Sequence, residues 1–177
     1  MLDHRGVFWM DSSIRFTTSN MTAVYDQLIA SGGLLTFTGT RLSNFAGIHA
    51  GMYRYLPMPV DQAIHTNQLA ATAVFFYRTK EIYDDVIRWW FLCALEHDCI
   101  ASSHVVQPCG FGPISEYAGC NRFDQAALNI LAGNHFHYNQ TVYLLRSTGV
   151  FNIERYKKHQ ESLQLCSVSY SKSAKYF

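Results

Sequence analysis

Charge is what this chain has least of. Asp, Glu, Lys and Arg make up 15% of its 177 residues, against about a quarter in ordinary soluble domains. The formal net charge is +1 and no stretch is rich in Lys or Arg. That excludes a binder of the phosphate backbone, whose affinity is built from clustered basic charge, so no nucleic acid partner is expected. Long apolar runs are lacking as well. No window approaches the about 18 consecutive apolar residues that span a bilayer, and no membrane segment is expected. The opening residues, from Met1 to Arg5, do not have the basic-then-apolar order of a signal peptide. Cys93, Cys99, Cys109, Cys120 and Cys166 lack the paired C-x-x-C spacing of a zinc module. Repeats, low-complexity tracts and domain linkers are also missing.

What is present in quantity is aromatic side chains, again 15%, and a chain of this length buries enough apolar surface for one domain. Residues 1–160 are expected to hold it, with 161–177 a peripheral tail. Four cysteines cluster between positions 93 and 120. In an oxidising compartment they allow bridges, and the expectation is Cys93 or Cys99 joined to Cys109 or Cys120; buried reduced thiols are the alternative. The sequons at Asn20 and Asn139, each followed two residues on by Thr, favour the lumen of the secretory route as the location.

The pattern alternates between strands and helices. An apolar strand from Gly6 delivers Asp11 at its carboxyl end. Ser19 or Asn20 caps a helix carrying Met21, Val24, Tyr25, Leu28 and Ile29 at helical spacing and closed by Gly32-Gly33. Leu34–Phe37 reads as a second strand, and Thr38–Gln68 as an irregular excursion, a ligand lid or acceptor-site wall. Leu69–Tyr77 is continuous and apolar, a strand covered on both faces. Thr79 caps a helix with Ile82, Val86, Trp90 and Cys93 on one stripe and Asp84 paired to Arg88 on the wet side. The Trp89-Trp90 pair is read as core packing. Asp124 lies in the first turn of a further helix that stops at Gly133, and Val142–Arg146 is a last short strand. The fold class is therefore α/β, a mixed sheet flanked by helices.

Two acids, Asp11 at a strand end and Asp124 at a helix start, occupy places where such folds build sites. Each has a plain structural reading too, as a turn former and as a charge favourable to the helix dipole. The order Trp9-Met-Asp11-Ser-Ser13-Ile-Arg15-Phe16, then the apolar strand and Trp-Trp helix, then Arg122-Phe-Asp124-Gln125-Ala-Ala-Leu-Asn129, resembles the second half of a GT-A-type nucleotide-sugar glycosyltransferase. In particular it resembles a glycosyltransferase-like metazoan family expanded in nematodes.

The resemblance implies sugar transfer from a nucleotide-sugar donor to a glycan or protein hydroxyl acceptor in the Golgi or secretory lumen. It places Asp11 on the first acid of an Asp-x-Asp motif that holds manganese or another divalent cation. Ser13 falls where the second acid belongs, which removes one charged oxygen ligand and weakens the cation's hold. Arg15 is then a contact for the diphosphate, His137 a late metal ligand, Asp124 the catalytic residue, and Asp124 with Gln125 the sugar-binding pair. The nucleotide-binding βαβ portion that such a fold places ahead of this strand is not represented before Gly6. The chain is expected to be a truncated piece, inactive alone. A non-catalytic secreted binding or scaffold domain that has lost the metal motif is the other reading.

Overall fold

The computed structural model describes residues 5–105, 109, 116–145 and 149–154. The expected strand from Gly6 is β1 (Gly6–Met10), which ends just before Asp11 as expected; the chain breaks there and resumes as a second strand, β2 (Ile14–Phe16). The break is a turn in which Ile14 N–H donates to Asp11 O at 3.1 Å. Helix α1 (Thr22–Ala30) follows, with the Asn20 carboxamide accepting from Thr22 N–H at 3.1 Å. Val24 and Leu28 on its inner face are fully buried. Gly32 and Gly33 end it at positive φ, and a Cβ on Gly33 would stand 2.8 Å from Tyr77 O, so the chain can cross here only as glycine. β3 (Leu34–Thr36) runs on from this turn.

The stretch expected to be irregular is built of short elements: β4 (Gly39–Ser43), α2 (Asn44–Gly47), a 3-10 turn (Ala50–Arg54), α3 (Val60–His65) and β5 (Asn67–Leu69). Ile48, Met52, Leu56, Met58 and Ala63 from this stretch are buried, so it forms one wall of the core. After a turn at 70–72 comes β6 (Ala73–Tyr77), the central strand. The expected single strand Leu69–Tyr77 is thus broken, with Leu69 assigned to a different pair of strands.

The sheets are small and antiparallel: β1-β6-β3, β2-β7 and β4-β5, where β7 is Phe151–Ile153. Among the described residues parallel geometry is confined to a bridge between Thr36 and Leu144. The mixed α/β class holds, with small antiparallel sheets in place of the one mixed sheet expected.

Thr79 caps the next helical rod as expected, its hydroxyl accepting from Ile82 N–H at 3.1 Å. The rod consists of α4 (Lys80–Ile82), a π-helical turn (Tyr83–Ile87) and α5 (Arg88–Leu95). Ile82, Val86 and Cys93 are buried along one stripe. Asp84 pairs with Lys80 at 2.5 Å rather than with Arg88, and Arg88 instead lies over the ring of Trp89. Trp90 packs on the core, whereas Trp89 is exposed, so only half of the Trp pair is core.

Both bridges join near neighbours, Cys93–Cys99 and Cys109–Cys120, each with Cα atoms 5.2 Å apart. This corrects the expected cross-pairing. The chain leaves α5 in extended conformation at Glu96, and Cys99 N–H then donates to Glu96 O, folding Cys99 back onto the helix end that carries Cys93. Two disulfides fit a secreted or lumenal protein. Among the described residues no helix is long and apolar enough to cross a membrane.

α6 (Asp124–His135) is buried along most of its length and runs past the expected stop at Gly133. The segment read as a strand ending at Arg146 instead opens with helix α7 (Gln140–Tyr143); Arg146, the tail and Cys166 lie outside the described residues. Asn20 and Asn139 are both exposed.

Candidate functional site

Asp11 directly follows β1, and its N–H still belongs to the ladder, donating to Thr72 O at 2.8 Å. The ladder therefore fixes where its side chain leaves the sheet, and the turn at Ser12-Ser13 leaves that side chain exposed. Asp124 is presented by a different device. Gln125 N–H donates to Arg122 O at 3.0 Å, and Phe123 between them has φ 47° and ψ −116°. That is the first central position of a type II′ turn, which normally takes glycine. A bulky residue there costs about 1–3 kcal/mol. The Trp90 indole N–H donates to Asp124 O at 3.0 Å and locks the turn against α5.

The two acids line one cavity of about 250 Å³ together with Thr72, Arg122, Phe123 and Gln125. Among the described residues, neither carboxylate has a hydrogen-bond or ion-pair partner. Asp124 also sits at the positive end of α6, where a negative charge is favoured.

Gln125 differs from its neighbour. Its Nε2 donates to Gln68 Oε1 at 2.8 Å and its Oε1 accepts from Ala71 N–H at 3.4 Å. Gln68, itself fully buried, donates to Gly47 O at 3.1 Å. One turn along α6, Asn129 accepts from Leu69 N–H and donates to Leu69 O, both at 2.7 Å, and donates to Gln125 O at 2.8 Å. This buried amide chain clamps α6 to β5 and so sets Asp124 against the end of β1. Gln125 thus lines the cavity while its amide is engaged in holding the helix.

The remaining expected site residues lie elsewhere. Arg15 donates to Ser12 O and Ile14 O and stands 3.8 Å from Glu154, which makes it a surface charge on β2. Ser13 O accepts from Glu154 N–H at the end of the β2-β7 pair, and Ser13 is not among the cavity's lining residues. His135 and His137 do not share a strand face. His135 closes α6, its Nδ1 2.9 Å from Asp85 Oδ2, and His137 has φ 50°. Both line a different cavity, of about 540 Å³, with Tyr55, Pro57, Asp85 and Trp89. The two cavities lie at opposite ends of α6, whose twelve residues span about 17 Å at 1.5 Å each.

A manganese site does not fit these positions. Asp11, Ser13 and His137 do not converge, and among the described residues no three His, Cys, Asp or Glu side chains gather. The expected three-ligand set is therefore not assembled, and no step below runs through a metal. Ala71, Thr72, Asn121, Arg122 and Phe123 also line the cavity, and sequence reasoning gave them no role. The sequence signal for Arg122 was its place immediately before Phe-Asp124. Thr72 is brought in only by the break between β5 and β6.

The chain matches no protein-family model, no curated protein and no solved structure.

Proposed function

We propose that the cavity between β1 and α6 recognises the hydroxyls of a sugar, as part of a nucleotide-sugar glycosyltransferase of the secretory or Golgi lumen. The observation that carries this reading is the pair of unpartnered carboxylates, Asp11 and Asp124, lining one polar cavity beside a guanidinium. Carboxylates accept strong hydrogen bonds from hydroxyls. Without a cation they repel a diphosphate, so both acids act on the sugar, and Arg122 is the lining group that attracts phosphate. Asp124 is the residue that would take the acceptor's proton, a role that needs the hydroxyl within hydrogen-bond reach.

Size bounds the proposal. At about 250 Å³ the cavity is smaller than the roughly 300–1,000 Å³ of small-molecule sites. That is room for a monosaccharide rather than for a whole nucleotide-sugar.

The test is a titration of the protein with UDP-glucose, UDP and glucose, each with and without manganese, followed by amide NMR and thermal shift. Sugar-bearing ligands should move the amides of Asp11, Thr72 and Asp124, and Asp124→Asn should weaken binding about tenfold or more, the worth of a charged hydrogen bond. If no ligand moves these amides in a folded protein, the transferase reading fails. The non-catalytic scaffold then stands, a reading that the engagement of the Gln125 amide favours.

A further inference from the structure

β1 is an open edge. It forms one side of the sheet β1-β6-β3, whereas β3 on the other side is partly covered by the bridge to Leu144, where Leu145 N–H donates to Thr36 O. In the antiparallel register Gly6 lies opposite Tyr77 and Met10 opposite Ala73. Asp11 N–H donates to Thr72 O and Arg78 N–H donates to Arg5 O. The odd-numbered residues from 5 to 11 therefore bond to β6, because hydrogen-bonded pairs alternate along such a ladder. The peptide groups of Gly6, Phe8 and Met10 are left pointing outward, and among the described residues they have no partner.

Exposed edges are normally blunted by charge, proline or a bulge, and Gly6–Met10 has none of these. Val7 and Trp9 are 54% and 52% exposed. They border an apolar trough of about 340 Å³ shared with Phe76, Tyr83 and Trp90.

We propose that β1 is the contact strand of a two-fold homodimer, pairing antiparallel with β1 of a second copy about Phe8. This register is chosen by charge. With Phe8 opposite Phe8, Gly6 faces Met10 and Val7 faces Trp9, while Arg5 of one copy faces Asp11 of the other at both ends. The outward peptide groups are those of residues 6, 8 and 10, the set this register consumes. Sliding the strands by two residues preserves the hydrogen-bond alternation but separates both ion pairs. Val7 and Trp9 of the two copies then cover each other on one face, and the two three-stranded sheets become one of six. A two-fold contact must be self-complementary, and the segment Arg5–Asp11 is.

The test is analytical ultracentrifugation of the protein and its charge variants. The unmodified chain should dimerise. Arg5→Glu and Asp11→Arg should each weaken the dimer about tenfold, since opposite charges across a strand pair help and like charges hurt. The double variant, with the signs exchanged, should restore it. Hydrogen exchange on the unmodified protein provides a readout independent of any variant's folding. Protection should rise with concentration at the amides of Gly6, Phe8 and Met10 and stay constant at Val7 and Trp9. A monomer at all concentrations overturns the proposal, as does a dimer indifferent to the charge exchange; a different chain bound at β1 would be a different interface. In the dimer Asp11 carries an ion pair and Asp124 is the cavity carboxylate left free for a sugar; none of these readouts involves a ligand, so they are separable from the sugar-binding test.

Discussion

Removing the Asn129 carboxamide is the sharpest test of how the site is held. Asn129 is 3% exposed and Leu69 2%, so Asn129→Ala leaves the N–H and C=O of Leu69 without partners and without water. Each orphaned group costs about 1–3 kcal/mol, and two at the middle of that range predict a loss near 4 kcal/mol. In a protein of this size 1 kcal/mol moves the melting point by about 2–4 °C, so the drop should be roughly 8–16 °C. Urea titration checks it: the midpoint should fall with the slope unchanged, because compactness is not at issue.

Asn129→Asp sharpens the result. An ionised carboxylate keeps the acceptor for Leu69 N–H but sets a negative charge against Leu69 O and Gln125 O. Burial and those carbonyls raise its folded pKa above the unfolded value of about 3.9. Once protonated, the introduced carboxyl has one O–H to donate where the amide donated twice, so this variant should be closest to the parent below that unfolded value, still short of it by one hydrogen bond, and lose stability as pH rises through the folded pKa. An alanine variant within about 0.5 kcal/mol of the parent, the level of an ordinary surface change, would refute the clamp and with it the claim that α6 is positioned by β5.

Phe123→Gly should raise stability by about 1–3 kcal/mol through relief of the II′ strain, less about 1 kcal/mol for added chain entropy, while weakening sugar binding by removing a wall of the cavity. Differential scanning calorimetry and the ligand titration read the two effects separately. Replacing Cys93 and Cys99 by Ser should cost about 2 kcal/mol, and replacing Cys109 and Cys120 about 3 kcal/mol, from closure of loops with separations of 6 and 11 residues. Peptide mapping without reduction should recover these two bridges and no crossed pair. Burial raises the hydroxyl pKa of Tyr53 and Tyr143 to about 12, with Tyr117 adding to the rise at Tyr53. The neutral forms are favoured in the fold, so stability is intact below the unfolded value near 10 and should decline from there to about 12; Tyr143→Phe should reduce that decline.

Periodicity made some of this visible in the amino acids. The stripe Ile82, Val86, Trp90 and Cys93 repeats at helical spacing over a long enough stretch to be unmistakable, and Thr79 stood where a cap belongs. The π-helical turn within that rod left no mark, because inserting one residue per turn hardly disturbs a short stripe. Ile48, Met52, Leu56 and Met58 looked irregular because elements of three to six residues are too short to display a period. The Asp11 and Asp124 positions could be picked out by their places at a strand end and a helix start. Their sharing one cavity depends on Asn129, Gln125 and Gln68, amides whose partners are far away in sequence. The reading of His135-Phe-His137 failed for a local reason: α6 continues through His135, and the backbone then turns into positive φ at His137 and Tyr138.

The shortness of the two disulfide loops bears on how the molecule is made. Cys93 and Cys99 meet across six positions and Cys109 and Cys120 across eleven, encounters that a nascent chain achieves within tens of nanoseconds. Thiol oxidation, far slower, is thus never held up by the search for a distant partner, and Cys99 finds Cys93, six positions away, sooner than its nearest crossed partner, Cys109, ten positions away. Neither bridge's loop contains any of β1, β6 or α6, so the sheet and its clamp can assemble in a reduced chain, with oxidation following.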